Sequence, residues 1–121
     1  MKILIIDDNN DVLQLLKVLM NSTGQDVDIV NNGVHGLEMI LNNKYDLILL
    51  DITMPEFSGF SVVDKLASVE KLQKNNILFF TAASVIDSEL EKWYKLGVKG
   101  CLRKPVDPNT LFEKINEVRH T

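Results

Sequence analysis

The run Leu47-Ile48-Leu49-Leu50 constrains this chain more than any other stretch, because it delivers Asp51 to its end and is stopped soon after by Pro55. Four consecutive aliphatic side chains leave no polar face, so the segment reads as a strand buried on both sides, as in a parallel sheet. Proline lacks a backbone N–H and lets neither a central strand nor a helix run on. Asp51 therefore stands where a buried strand opens into a loop. A carboxylate in that place can cap a helix, ligate a metal or act as a nucleophile, and the rest of the chain decides what surrounds it.

Similar runs recur at regular intervals. Residues 3–6 are aliphatic and end at Asp7-Asp8; residues 27–30 are more polar, interrupted by Asp28; residues 77–80 end at Thr81-Ala82-Ala83; residues 99–103 run into Lys104-Pro105. Between them the apolar spacing is helical. Asn9 or Asn10 caps a helix with Val12, Leu15, Leu16 and Leu19 on one face, ended by Gly24. Gly33 opens a second helix, carrying Val34, Leu37, Ile40 and Leu41. Ser58-Gly59 opens a third, with Val62, Val63, Leu66 and Val69 inward. Ser84 with Asp87 resembles a capping box for a fourth, bearing Leu90 and Trp93 and stopped by Gly97. Asp107 and Pro108 start the fifth, with Leu111, Phe112, Ile115 and Val118 inward.

Five strands alternating with five helices predict an α/β domain, a doubly wound five-stranded parallel sheet covered on both faces. The first, third and fourth strands are the oiliest and belong at the centre. The second and fifth belong at the edges, which gives the order 2-1-3-4-5. In that order ligands sit beyond the carboxyl ends of strands one and three. The 121 residues are expected to form one domain, residues 1–121, with 45% hydrophobic content and no repeat or linker. Met1 stands directly before the first strand, as in a protein that begins here. A net charge of −4, with 13 scattered Lys and Arg, leaves no footprint for direct nucleic-acid binding. No apolar run approaches the roughly 20 residues of a membrane span, and the one cysteine, Cys101, has no partner in the chain. A cytoplasmic protein is the expectation.

The strand ends bring three acids (Asp7, Asp8, Asp51), a hydroxyl (Thr81) and an amine (Lys104) to one rim of the sheet. Two unit charges about 5 Å apart repel by roughly 3 kcal/mol at an effective dielectric near 20, so three carboxylates there call for a counter-charge. Mg²⁺, an oxygen-seeking cation held by one or two carboxylates and phosphate oxygens, suits them better than Zn²⁺; Mn²⁺ is a substitute. With Lys104, two positive centres would stabilise a phosphoryl group that a carboxylate attacks, and Thr81 could donate to one of its oxygens. Ala82 leaves room for such a group. The residues thus read as an aspartate that accepts phosphate with Mg²⁺ help.

Asp7-Asp8, Asp51-x-x-Met54-Pro55-x-x-x-Gly59, Thr81-Ala82, Gly97 and Lys104-Pro105, in this order and spacing, resemble the receiver domains of two-component response regulators, including the chemotaxis-regulator type. The resemblance covers essentially the whole chain and implies a flavodoxin-like (βα)5 fold. It further implies that Asp51 is phosphorylated by a sensor histidine kinase or phosphotransfer protein. Asp8, Asp51 and the Thr53 backbone carbonyl would ligate Mg²⁺, with Asp7 helping through water. Lys104 would contact the phosphoryl group, Thr81 would be the switch hydroxyl, and the Lys104-Pro105 peptide would be cis. Switching would change the affinity of the face built from helix four, strand five and helix five for a downstream protein target, in a monomer or a phosphorylation-dependent dimer. Thr53 and Ala83 occupy positions at which the family tunes phosphoryl lifetime.

Cys101 departs from the pattern, standing where the family usually has Tyr or Phe. Trp93 either fills the space such an aromatic would have used or is plain packing. Other signals are weaker. Asp7-x-Asn9-x-Asp11 lacks the glycine and final acid of a calcium loop, and Asn9 stands where a phosphatase of the Asp-x-Asp type needs a general acid. Ser22-Thr23-Gly24 follows a helix and is a stop signal. His35 and His120 have no metal spacing and belong at the surface, as do Lys71, Lys74, Lys92, Lys95 and Lys99. Two other functions remain to be weighed: a Mg²⁺-dependent phosphatase or transferase with Asp51 as nucleophile, and a degenerate interaction module that never sees phosphate.

Overall fold

A computed structural model describes residues 1–82, 84–105 and 107–119, so the expectations at Ala83 and His120 lie outside the described residues. Strands β1 (Lys2–Ile6), β2 (Asp26–Val30), β3 (Leu47–Leu50), β4 (Ile77–Thr81) and β5 (Gly100–Arg103) alternate with helices α1 (Asn10–Asn21), α2 (Gly33–Asn42), α3 (Gly59–Ser68), α4 (Asp87–Leu96) and α5 (Pro108–Arg119). All strand pairs are parallel and the sheet order is β2-β1-β3-β4-β5, as expected.

The continuous aliphatic runs are explained by the two cores. Successive strand residues point to opposite faces. Leu4, Ile6, Ile48, Leu50, Ile77 and Phe79 meet Ile40 of α2, Val62, Val63 and Leu66 of α3, and Leu90 and Trp93 of α4. Their alternates Ile3, Ile5, Leu47, Leu49, Leu78 and Phe80 meet Leu13, Leu16 and Met20 of α1 and Leu111 and Ile115 of α5. Each such side chain, fully buried, contributes about 1.5–3 kcal/mol relative to exposure. The more polar β2 lies at an edge, where Asp28 accepts a hydrogen bond from the Tyr45 hydroxyl at 2.8 Å.

Helix starts follow their caps. Asn9 accepts from the Asp11 and Val12 amides, and Ser58 from the Ser61 amide. The Asp107 carbonyl accepts from the Leu111 amide at 3.1 Å, with Pro108 first in α5.

The structure corrects four expectations. The buried stripe of α1 is Leu13, Leu16 and Met20, flanked by Val12 and Leu19, while Leu15 is 67% exposed. Leu15 lies roughly 200° round the helix from Leu13, and in a helix this rich in leucine spacing alone fits more than one stripe. Val69 is the residue that ends α3 and is largely exposed. Ser84 does not cap α4: the cap position is Ile86, no side chain accepts there, and Asp87 is already the first helical residue. An acid in that first turn still suits the positive end of the helix dipole. Finally, β5 begins at Gly100 rather than Lys99.

Candidate functional site

Strand register places the acids. Ile6 pairs with Leu50, so the next residues, Asp7 and Asp51, leave neighbouring strands at the same height. Their amides are still held, Asp51 to the Ile6 carbonyl at 2.9 Å and Asp7 to the Val30 carbonyl at 3.2 Å. Asp8 follows on the loop and is exposed, whereas Asp7 and Asp51 are buried. Thr81 is the last residue of β4, and the Lys104 amide just past β5 donates to its carbonyl at 3.0 Å. The Lys104-Pro105 peptide is cis. Asp7, Asp8, Asp51, Thr53, Thr81 and Lys104 all line one open cavity, together with Asn9, Val12 and Ala82. A larger hollow at the opposite end, lined by Lys44, Tyr45, Lys71 and Lys74, holds no comparable acid cluster.

Inside the cavity one ammonium serves two buried carboxylates. Lys104 Nζ pairs with Asp7 Oδ2 and lies 3.4 Å from Asp51 Oδ2. The other Asp7 oxygen accepts the Asn9 amide at 2.9 Å, and Asp51 Oδ1 accepts the Thr53 amide at 3.3 Å. The Thr81 side chain also hydrogen-bonds Asp51. Burial pushes the Asp51 carboxyl above its ordinary range; Lys104 opposes the rise, Asp7 adds to it, and the Thr81 and Thr53 hydrogen bonds oppose it.

Among the described residues Asp8 makes no ion pair, so Lys104, shared by Asp7 and Asp51, leaves a cluster of three carboxylates short of positive charge. One oxygen from each of Asp7, Asp8 and Asp51 lies within 4.8 Å of the others. Such an all-oxygen set fits a hard divalent cation, Mg²⁺ or Mn²⁺, better than Zn²⁺.

Three features of the site were not read from the sequence. Asn9, read as a cap and rejected as a calcium-loop or general-acid position, also ties its amide to Asp7. Gly59, taken as a helix start, makes a close approach: a Cβ there would lie 2.3 Å from the Asp51 carbonyl oxygen and 2.9 Å from Ile52 Cα. Its place in the Asp51 stretch was the available signal. The third is Phe80, whose ring lies under Lys104, with Nζ 5.2 Å from the ring centroid; an oily strand gives no hint of that.

On the flank, Trp93 is core. Its indole stacks on Phe60 of α3, with centroids 4.6 Å apart and planes at 9°, and Phe60 meets Phe79 edge-on. Cys101 packs against the same core cluster. Burial raises the Tyr94 hydroxyl above its ordinary range; Cys101 and Asp87 add to the rise and Arg103 opposes it. Burial raises the Cys101 thiol above its ordinary range; Arg103 opposes this and Asp87 adds to it.

A family model described as the response regulator receiver domain matches residues 3–116. The chain belongs to that family. Receiver domains are signalling switches of two-component systems rather than classical enzymes, and they act with histidine kinases and downstream effectors. A probable transcriptional regulator ycf29 of Porphyra purpurea is 33% identical over 95% of this chain and 55% of its own length. The CpxR homologue of Haemophilus influenzae is 32% identical over 97% of this chain and 49% of its own. This receiver chain spans about half the length of these relatives. Among solved structures, Vibrio cholerae chemotaxis protein CheY4 superposes with a TM-score of 0.84 at 25% identity, covering 97% of both chains. Thermotoga maritima response regulator TrrA, solved in complex with Mg²⁺ and BeF, gives 0.83 at 30% identity, again over 97% of both. No helix among the described residues of this receiver domain is long and apolar enough to cross a membrane.

Proposed function

We propose that Asp51 is a phosphoacceptor, loaded by a sensor histidine kinase or phosphotransfer protein, and that its phosphorylation changes the affinity of the α4, β5 and α5 face for a downstream protein. The observation that carries this reading is the placement of Asp51: buried, yet opening with Asp7, Asp8, Thr81 and Lys104 on one cavity. In the transfer, an Asp51 carboxylate oxygen forms a bond to phosphorus while the donor's N–P bond breaks and the freed imidazole takes up a proton. The Thr53 amide and the Thr81 hydroxyl orient the carboxylate. Lys104, already beside Asp51, offsets the charge that the phosphoryl oxygens bring, and Thr81 turns its hydroxyl to them.

Asp8, Asp51 and the Thr53 carbonyl would hold Mg²⁺ (or Mn²⁺), with Asp7 helping through water; the bound cation would supply further neutralisation of phosphoryl charge. The Mg²⁺ and BeF of the TrrA complex support this choice. A phosphoryl group with nearly two negative charges then favours the arrangement in which Thr81 and Lys104 both reach it. Loss of phosphate catalysed at the same site resets the switch. The working form is a monomer or a phosphorylation-dependent dimer, in the cytoplasm, with no direct part for nucleic acid or membrane.

The test is intact mass and Trp93 fluorescence on adding acetyl phosphate with Mg²⁺, in wild type and Asp51→Asn. A phosphate-sized mass gain in the wild type alone, with a fluorescence change, is expected. Mg²⁺ binding without an adduct from any donor would leave a non-phosphorylated interaction module. Multiple turnover of a phosphomonoester would indicate a phosphatase or transferase.

A further inference from the structure

Phe79 and Phe80 are adjacent in β4 and fully inside, yet they do different things. Phe79 faces the α2, α3 and α4 core, edge-on to Phe60. Phe80, only 2% exposed, faces the α1 and α5 core, and the ammonium of Lys104 stands over its ring at 5.2 Å from the centroid. The same ammonium is shared by Asp7 and Asp51, on a side chain only 15% exposed. A cation over an aromatic face is attracted by the ring quadrupole, and more strongly when water is excluded.

We propose that Phe80 is a positioning residue for Lys104, a role that rests on the phosphoacceptor reading above. Two carboxylates alone would leave the ammonium free to settle on Asp7, which is wholly buried and already paired to it, and to withdraw from Asp51. The ring adds a partner that is uncharged, cannot be protonated and does not compete with phosphoryl oxygens for the ammonium's protons. It therefore holds Nζ within reach of Asp51 as well as Asp7. Phe80 touches no reacting atom and acts only through Lys104.

The test replaces Phe80 by leucine, and separately by phenylalanines of increasing ring fluorination, which keep the ring's shape while draining its negative face. The rate of adduct formation from acetyl phosphate is read in each. Phe80→Leu should slow phosphorylation about 3- to 10-fold. Fluorination should slow it stepwise, and this dependence should vanish in a Lys104→Ala background. Phe79→Leu, the same change on the other face, should lower stability while leaving the rate per folded molecule unchanged. The Lys104 ε-methylene protons should resonate upfield through the ring current and return toward ordinary positions in Phe80→Leu, a readout that needs no phosphorylation.

A flat fluorination series in a wild type that does accept phosphate, or an equal slope without Lys104, overturns the positioning role alone. Unshifted ε-methylene protons in the wild type do the same. A wild type showing the ring-current shift but accepting phosphate from no donor instead overturns the phosphoacceptor reading beneath it.

Discussion

The rim of the sheet and the face beside it are built to opposite specifications. At the rim, Asp7, Asp51, Thr81 and Lys104 come from four strand ends, are at most 15% exposed and bond to one another. On the neighbouring face, α4 starts at Ile86 without a side-chain cap and is anchored by Leu90 and Trp93. Its ion pair to β5, Arg103 with Asp87 at 3.5 Å, leaves the arginine side chain 42% and the aspartate 90% exposed. Buried charged networks hold geometry, whereas elements with few buried anchors open at low cost. The difference suits the proposed switch, in which chemistry needs fixed atoms and readout a helix that can move.

The largest effect should come from the rim. Lys104→Met removes the one ammonium that Asp7 and Asp51 share, leaving two buried carboxylates without a counter-charge. Breaking a buried pair in this way costs about 3–5 kcal/mol. Urea denaturation at neutral pH without divalent cation should show that loss, and added Mg²⁺ should recover part of it. A loss below about 1 kcal/mol would place this pair with ordinary surface pairs and erase the contrast.

Gly59→Ala comes next. Its methyl would meet the backbone of Asp51 and Ile52, which cannot give way as a side chain can. Overpacking of this kind costs about 1–3 kcal/mol, and because it displaces the backbone of Asp51, the proposed phosphoacceptor, adduct yield should fall as well. Lost stability with unchanged yield would separate the α3 start from the site.

Much of this arrangement could be read from residue order. Each of the three central strands is an unbroken apolar run, so strand identity, sheet order and the meeting of Asp7, Asp51, Thr81 and Lys104 followed from where the runs end. What stayed hidden depends on rotation and depth. In α1, leucines at 13, 15 and 16 satisfy several helical stripes, and only packing against α5 and the sheet selects the one containing Leu13 and Met20. At α4, Ser84 and Asp87 have the spacing of a capping box, but the helix starts three residues after the serine. Phe79 and Phe80 look alike in the strand, and only the alternation of faces puts the second under Lys104.

On the α4 face, the proposed readout surface, Ile86→Ser should stabilise. Ile86 already has the extended backbone of a cap residue, φ −87° and ψ 157°, and its side chain is 61% exposed. A serine oxygen can accept one of the free first-turn amides, worth typically about 1 kcal/mol. Thermal unfolding should shift upward, and the Trp93 fluorescence change on phosphorylation should shrink if a loosely held α4 is what moves. An undiminished change would mean that the switch does not depend on how α4 begins.

The smallest effect concerns Arg103 and Asp87. Either Arg103→Gln or Asp87→Asn should alter stability by less than about 0.5 kcal/mol, because exposed pairs contribute little. The Cys101 thiol, whose titration both residues bias, gives a finer readout. Burial raises it, Arg103 favours the thiolate and Asp87 disfavours it. Only the thiolate reacts. At a fixed pH below the thiol's raised range, Arg103→Gln should therefore slow iodoacetamide alkylation of Cys101, and Asp87→Asn should speed it. Opposite changes in rate at unchanged stability would show that this face is weakly tied yet electrically connected. Equal rates in both variants would mean that neither charge acts on the thiol, and the face would then be weakly tied without being electrically connected.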